Sequence, residues 1–278
     1  MDMKRLFRFL NRRILALLDL MLKPYRRYHE VEVSKEQLIK LLGQFKPLHC
    51  GVDLIRVGPE FDGGYLVPND LEGISWCISP GCGAMWGFEK DLWERHRIPS
   101  IIVDHENKKP IDLPEEFVFE NTFIGYTDQL GYSTLNSIIQ KNCRSGQDLM
   151  LQMDIEGHEY LSILASDDDL LKQFRVIVIE LHYLNRVQSD VYTENLLQPF
   201  INKLTKNHTV VHLHPNNLCG VWKLHDLEFP LVCEITLLRN DRIKSEPYYI
   251  DLPHKLDSPN VKNIKELNFN FANLPNVV

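Results

Sequence analysis

No C-x-x-C pair occurs in this sequence. Its six cysteines, Cys50, Cys77, Cys82, Cys143, Cys219 and Cys233, are scattered over 278 residues. That spacing offers no paired-thiol zinc site and no disulfide framework. It suits reduced thiols buried as small apolar groups in a cytosolic compartment. No apolar run is long enough to span a bilayer: the most apolar, Ile14 to Leu22, is short and contains Asp19. No small-residue cleavage pattern follows it, so a secretion signal is not expected. The dinucleotide fingerprint G-x-G-x-x-G is also missing, because Trp86 stands where the turn at Gly81 and Gly83 would need its third glycine. There is no internal repeat and no low-complexity linker.

A positive balance is lacking too, but unevenly. The formal charge is −7, yet residues 1–30 carry eight basic and three acidic side chains, net +5, which leaves −12 on the rest. An acidic body argues against a nucleic-acid partner gripped through its phosphates. In the basic end, Leu6, Phe7, Leu10, Ile14, Leu17, Leu18 and Met21 recur at helical spacing between arginines. The expectation is an amphipathic helix over 1–30. It either lies on an anionic membrane surface, at the cytoplasmic face, or packs on the domain or a second subunit, so oligomerisation stays open.

What is present is a 31–278 domain of mixed α/β pattern, with 44% apolar and 25% charged residues over the chain. Ser34 to Gln37 has the form of a capping box and opens a helix. Apolar runs at 74–79, 100–104, 117–124, 148–154 and 174–181 then alternate with helical patterns at 88–96, 134–141, 159–164 and 194–204. This predicts βαβ units and a mainly parallel sheet. Two further runs, 208–214 and 231–238, have no helical pattern between them and are expected to pair antiparallel at the sheet edge.

In such sheets ligands bind beyond the carboxyl ends of the strands. The first strand ends in a glycine turn, Gly81 and Gly83, opening a helix whose positive N-terminus points at the same spot. The second ends in Asp104, about 20 residues on, placed to accept ribose hydroxyls. The fourth ends in Gln152 and Asp154, followed by Glu156, His158 and Glu159. The fifth ends in Glu180 and His182, and the sixth in His212 and His214 with Asn216 and Asn217 beyond. Clustered titratable groups at strand ends mark a candidate site. Glu159 also has a simpler account, as an acid in the first turn of its helix.

With these residues in view, "LQMDIEGHEYLSIL" resembles the K-I-D-[IV]-E-G-x-E signature of FkbM-type S-adenosylmethionine-dependent methyltransferases. "YSTLNSIIQ", "ISPGCGAMWGFEKDL" and "RVGPEFDGGYLV" resemble that family's other segments, and "VVHLHPNN", "CEITLLR" and "LPHKLDSPN" its bacterial tail. Gln152 stands where the family usually has lysine. The resemblance covers roughly residues 50–265. It implies a class I methyltransferase (Rossmann-like) fold, with a seven-stranded sheet whose last strand is antiparallel. It also implies S-adenosylmethionine over Ser79 to Gly83, with Asp104 on the ribose, and Asp62, Gly63 and Tyr65 closing over it. Asp128 would approach the adenine and Asp154 the methionine end. The acceptor would be a hydroxyl, often of a sugar. A lipid-linked glycan would follow if residues 1–30 bind membrane.

An alcohol needs a general base or a metal to become a nucleophile. His182 and His214 are candidate bases alongside Asp154 and Glu156. Alternatively Asp154, Glu156, Glu180 and His182 hold Mg²⁺ or Mn²⁺. Of the two, the metal-free base is the expectation. Tyr183, Asn185, Arg186, Trp222, Asn216, Asn217, His254 and Asn260 are candidate acceptor linings. Two other classes stay open: a nicotinamide-dependent oxidoreductase on a related sheet, and a non-catalytic binding protein on a methyltransferase-like fold.

Overall fold

The capping box read at Ser34 forms. The Ser34 side chain accepts from Gln37 N, Gln37 answers from its own side chain, and helix α1 (Lys35–Gly43) starts there. The computed structural model describes residues 32–83 and 86–267, so the helix expected over residues 1–30 lies outside the described residues.

Seven strands make the central sheet: β1 (Trp76–Pro80), β2 (Ser100–Val103), β3 (Val118–Glu120), β4 (Leu149–Met153), β5 (Phe174–Leu181), β6 (His208–Pro215) and β7 (Cys233–Arg239). Their order is β6-β7-β5-β4-β1-β2-β3. Neighbours from β5 to β3 pair in parallel, and β7 runs antiparallel to both β5 and β6. This is the class I methyltransferase arrangement that the resemblance implies. The runs 208–214 and 231–238 pair antiparallel at the sheet edge as expected, with β6 outermost and β7 between it and β5. The connection from β6 is a hairpin, Val221–Leu224 with Leu227–Pro230, which lets the chain turn straight back into the gap. The run 117–124 divides. Thr122 N bonds Glu120 O at 3.0 Å, turning the chain out of the sheet, and Phe123–Ile124 pairs instead with Tyr132–Ser133.

Helices α2 (Gly87–His96), α3 (Leu135–Asn142), α4 (Glu159–Ala165) and α6 (Gln198–Thr205), with the short α5 (Asp168–Leu171), accompany the sheet. Period two in the strands separates two cores. On one face Ile78, Leu151, Ile177, Ile179 and Ile235 pack with Leu38, Ile138, Ile163 and Phe200 of the helices. On the other, Cys77, Met150, Val176, Val178 and Leu238 pack with Phe88 and Leu92 of α2 and with Val57, Tyr65 and Val67. Those last residues belong to a ribbon, Leu54–Val57 with Tyr65–Pro68, fastened where Thr236 Oγ1 donates to Leu66 O at 2.8 Å.

That second face changes character along its length. In each strand the same two-residue alternation leads from an apolar to a polar group: Cys77 to Ser79, Met150 to Gln152 and Asp154, Val178 to Glu180 and His182, Leu238 back through Thr236 to Glu234. β7 runs the other way, so it brings its first residues, not its last, to the polar end.

Candidate active site

Two glycines shape the turn after β1. Gly81 has φ +85°, and a Cβ there would stand 1.8 Å from Asp154 O, so the turn lies flat against the end of β4. Gly83 has φ +66°, with nothing within 4 Å of the position its Cβ would take. Gly81 N is committed to Val103 O at 3.0 Å, while the open space beside Gly83, just before α2, lets a polar ligand approach the backbone closely. Asp104, buried at the end of β2, accepts from Asn107 N at 2.8 Å and from Asn107 Nδ2 at 3.0 Å, which holds its loop in place.

Beneath the turn lies a buried polar chain. Ser79 Oγ meets Glu89 Oε1 on one side and donates to Gln152 Oε1 at 2.8 Å on the other, and Gln152 Nε2 donates to the Tyr65 phenol oxygen, Oη, at 3.3 Å. Burial raises the Glu89 carboxyl above its ordinary value, and because the single Ser79 hydrogen goes to Gln152, the contact with Glu89 calls for a proton on that carboxyl. Accordingly, Glu89→Gln should shift stability by less than about 1 kcal/mol in urea unfolding, since it exchanges one neutral donor-acceptor for another. A loss of several kcal/mol would mean that Glu89 is ionised.

The strongest constellation surrounds His182, which is only 7% exposed. Its Nδ1 stands 2.9 Å from Glu159 Oε1, and Glu159 is fully buried. The same carboxylate oxygen accepts from Ile155 N at 3.2 Å and Gly157 N at 3.1 Å, so Glu159 pins the histidine to the turn after β4. With Nδ1–H donated there, Nε2 points at Asp154 Oδ1 (3.7 Å), Glu180 Oε2 (3.7 Å) and Glu156 Oε2 (3.9 Å). Glu180 is itself fixed by Asn216 Nδ2, which donates to its Oε1 at 2.8 Å. Burial raises the carboxyls of Asp154, against the pull of His182, and of Glu180, where Asp154 and Glu234 add to the effect. Burial opposes the charging of His182, but the Glu159 bond and the nearby carboxylates outweigh it and hold the imidazole above its ordinary value.

Two strained residues flank this cluster. Glu156 and Tyr183 have φ of +56° and +57°, uncommon for residues with side chains and frequent at functional sites. The Tyr183 ring lies against Gly157, where any Cβ would meet it at 2.4 Å. The ring is 40% exposed, and the Arg186 guanidinium stacks over it at 4.8 Å.

His214 stands elsewhere. Its Nδ1 lies 3.4 Å from Glu234 Oε2 and its Nε2 2.6 Å from Glu266 Oε1, so both nitrogens are engaged. His212 pairs with Asp257 at 2.9 Å, and its ring meets the ring of His254. Asn217 binds the backbone of Val261 and Ile264, and Asn260 Nδ2 donates to Glu234 at 2.7 Å and reaches Asp62 at 3.5 Å. These groups strap the segment from His254 to Glu266 onto the ends of β6 and β7. Trp222 packs against the apolar core, and Asn185 sits in the turn that carries Arg186. Asp128 caps α3, accepting from Thr134 N at 2.8 Å and Ser137 Oγ at 2.7 Å. Tyr65 lies under the glycine turn through its bond to Gln152, whereas Asp62 is exposed and Gly63 turns at φ +81°.

Glu89, Glu234, Asp257 and Glu266 were not among the expected site residues, and Glu159, named in the strand-end cluster, was not expected to hold His182. Only Glu159 left a signal, its place two residues past the D-I-E-G turn.

Among the described residues, no helix is long and apolar enough to cross a membrane. The family model described as Methyltransferase FkbM domain matches residues 116–207. This third of the chain runs from just before β3 past α6 and includes Asp154, Glu156, Glu159, Glu180 and His182. Over these residues the chain is similar to FkbM-type methyltransferase domains, which supports a methyltransferase. A search of curated proteins found no match.

Proposed function

We propose that the protein transfers a methyl group from S-adenosylmethionine to a hydroxyl of a saccharide acceptor. The observation that carries this reading is His182, buried and fixed by Glu159, with Nε2 turned into a carboxylate cluster next to the glycine cradle.

S-adenosylmethionine, when bound, supplies a methyl carbon already activated by a sulfonium. Gly81, Gly83 and Asp104 fit it: open space lies beside the Gly83 backbone, and a carboxylate stands at the next strand end. What remains for the protein is to orient the acceptor and relieve its hydroxyl of a proton. Glu159 keeps Nδ1–H committed, which leaves the Nε2 lone pair on the cluster side. Asp154, whose side chain is 30% exposed, is the carboxylate that joins this pair to the outside. The proton leaves toward that imidazole and carboxylate as the oxygen attacks. Tyr183 and Arg186 suit a sugar: a flat exposed ring beside the cluster can stack on its apolar face, and the guanidinium can bond its hydroxyls.

The test is calorimetric binding of S-adenosylmethionine and of NADH, followed by transfer of a labelled methyl group into a panel of saccharides. Saturable binding of S-adenosylmethionine with labelled product supports the reading, and binding of NADH alone overturns it in favour of hydride transfer. On any acceptor found, Arg186→Ala should raise KM by roughly 10-fold with kcat little changed, the mark of a group that binds but does not react.

A further inference from the structure

We infer that Asp154, Glu180 and His182 form a binding site for one hard divalent cation of the Mg²⁺ or Mn²⁺ class. The site lies within the centre proposed for methyl transfer. The cation's use in catalysis rests on that reading, but its binding does not.

Geometry comes first. One oxygen of each carboxylate and one imidazole nitrogen all lie within 4.8 Å of one another. Around an octahedral cation with ligands at about 2.1 Å, neighbouring donors stand about 3.0 Å apart and opposite donors about 4.2 Å. The separations of 3.7 Å from Nε2 to Asp154 Oδ1 and to Glu180 Oε2 fall inside that range. They are too long for hydrogen bonds. Nε2 belongs to a side chain more than nine-tenths buried and makes no hydrogen bond at these distances, though it is aimed into the cluster. Asp154 Oδ1, across from it, is likewise buried without a hydrogen-bond partner. A buried, unpartnered Asp154 Oδ1 aimed at Nε2 across this spacing is unfavourable by itself, and a cation between them would satisfy it.

The surroundings agree. A metal-bound histidine typically donates its other nitrogen to a carboxylate that fixes its tautomer and orientation. Glu159 does this for His182 at 2.9 Å, and Asn216 plays the equivalent part for Glu180 at 2.8 Å. Charge points the same way. Asp154, Glu159 and Glu180 surround one imidazole, and Arg or Lys forms no ion pair with any of these three among the described residues. A divalent ion offsets much of that negative charge.

Donor chemistry sets the class. Two carboxylates and one imidazole favour Mg²⁺ or Mn²⁺ over zinc, and none of the cysteine thiols belongs to the cluster. Asp154 is partly exposed, so coordination positions on that side face the opening, where an acceptor hydroxyl would arrive. With Nε2 on the cation the imidazole would hold the ion instead of taking the proton: the cation would lower the energy of the acceptor oxyanion, and the proton would pass to the uncoordinated oxygen of Asp154 or to water.

The experiment uses the full chain stripped with chelator and titrated with Mn²⁺ by calorimetry and electron paramagnetic resonance. The expected result is one Mn²⁺ per chain, displaced by Mg²⁺, with ¹⁴N coupling from a single imidazole. Glu180→Gln and Asp154→Asn should each weaken binding at least 10-fold. Absence of saturable binding, or a bound Mn²⁺ without ¹⁴N coupling, overturns the inference, and the second readout holds even if a variant fails to fold. S-adenosylmethionine binding is measured on the same samples. If it binds while Mn²⁺ does not, the cation site falls and methyl transfer stands. If Mn²⁺ binds with ¹⁴N coupling while S-adenosylmethionine does not, the site stands and methyl transfer falls.

Discussion

In His182→Ala, methyl transfer drops by roughly 10²–10⁴-fold, the usual worth of a positioned proton-transfer group, while the fold and S-adenosylmethionine binding persist. The binding should persist because Gly81, Gly83 and Asp104 do not depend on the imidazole. The fold should persist because truncation removes a half-satisfied polar group rather than core packing. Glu159→Gln gives the companion result. The amide oxygen can still accept from Ile155 N, Gly157 N and His182 Nδ1, all now bound to Glu159 Oε1. The charge that holds the imidazole is lost, so kcat should fall by about 10- to 100-fold with the KM for S-adenosylmethionine unchanged. That split identifies a positioning residue, because a merely structural one would lower stability and leave kcat alone. Full activity in His182→Ala would remove this cluster from the chemistry.

Stability should decline between about pH 6.5 and pH 9, chiefly through His214. Burial works against its charge, but Glu234, Asp257 and Glu266 overcome this and push its pKa up to about 9. His212 stacks 6.5 Å away and is itself paired with Asp257. A group bound more tightly to its proton in the folded state stabilises fully below its unfolded value, near 6.5, and that stabilisation is lost as the pH passes the folded value. The amount is about 3 kcal/mol, at about 1.4 kcal/mol per pH unit of displacement. His182 is shifted the same way, and the buried thiols Cys77 and Cys233 and the half-buried Cys82 add losses at higher pH. The His214 share is therefore read by difference. The urea midpoint of the wild type should fall from pH 6 to pH 9, and that of His214→Gln should fall less. Equal slopes in the two proteins would show that the clamp on the C-terminal segment is not charged.

Much of this could be read in the sequence because it depends on local rules. The Ser34 cap, the strand at 174–181 and the polar groups ending β4 and β5 follow from period and position alone. Asp154, Glu180 and His182 were named together, and the structure places them together. What escaped was non-local. Glu159 looked like a first-turn acid, and only the fold reveals that His182, 23 residues on, is its partner. Glu234 escaped for a different reason: attention to the carboxyl ends of strands overlooks a strand that arrives in reverse. The insertion of β7 beside β5 delivers Glu234 by its amino end, and no spacing in the chain announces which gap a strand will enter. His214 looked like a base because a neutral-range titrating group at a strand end invites that reading, whereas Glu266, 52 residues away, engages it.

The apolar-to-polar change along one face of the sheet bears on how such a protein can vary. Val176 and Val178 lie on the same side of β5 as Glu180 and His182, only a few residues nearer the start of the strand. Substitutions among the former trade one packing for another and are felt as melting temperature. Substitutions among the latter are felt as rate or selectivity. The two properties can therefore be tuned by moving along one strand rather than between elements. A more heat-resistant variant and a variant with a new acceptor should be reachable independently, and combining them should give nearly additive effects.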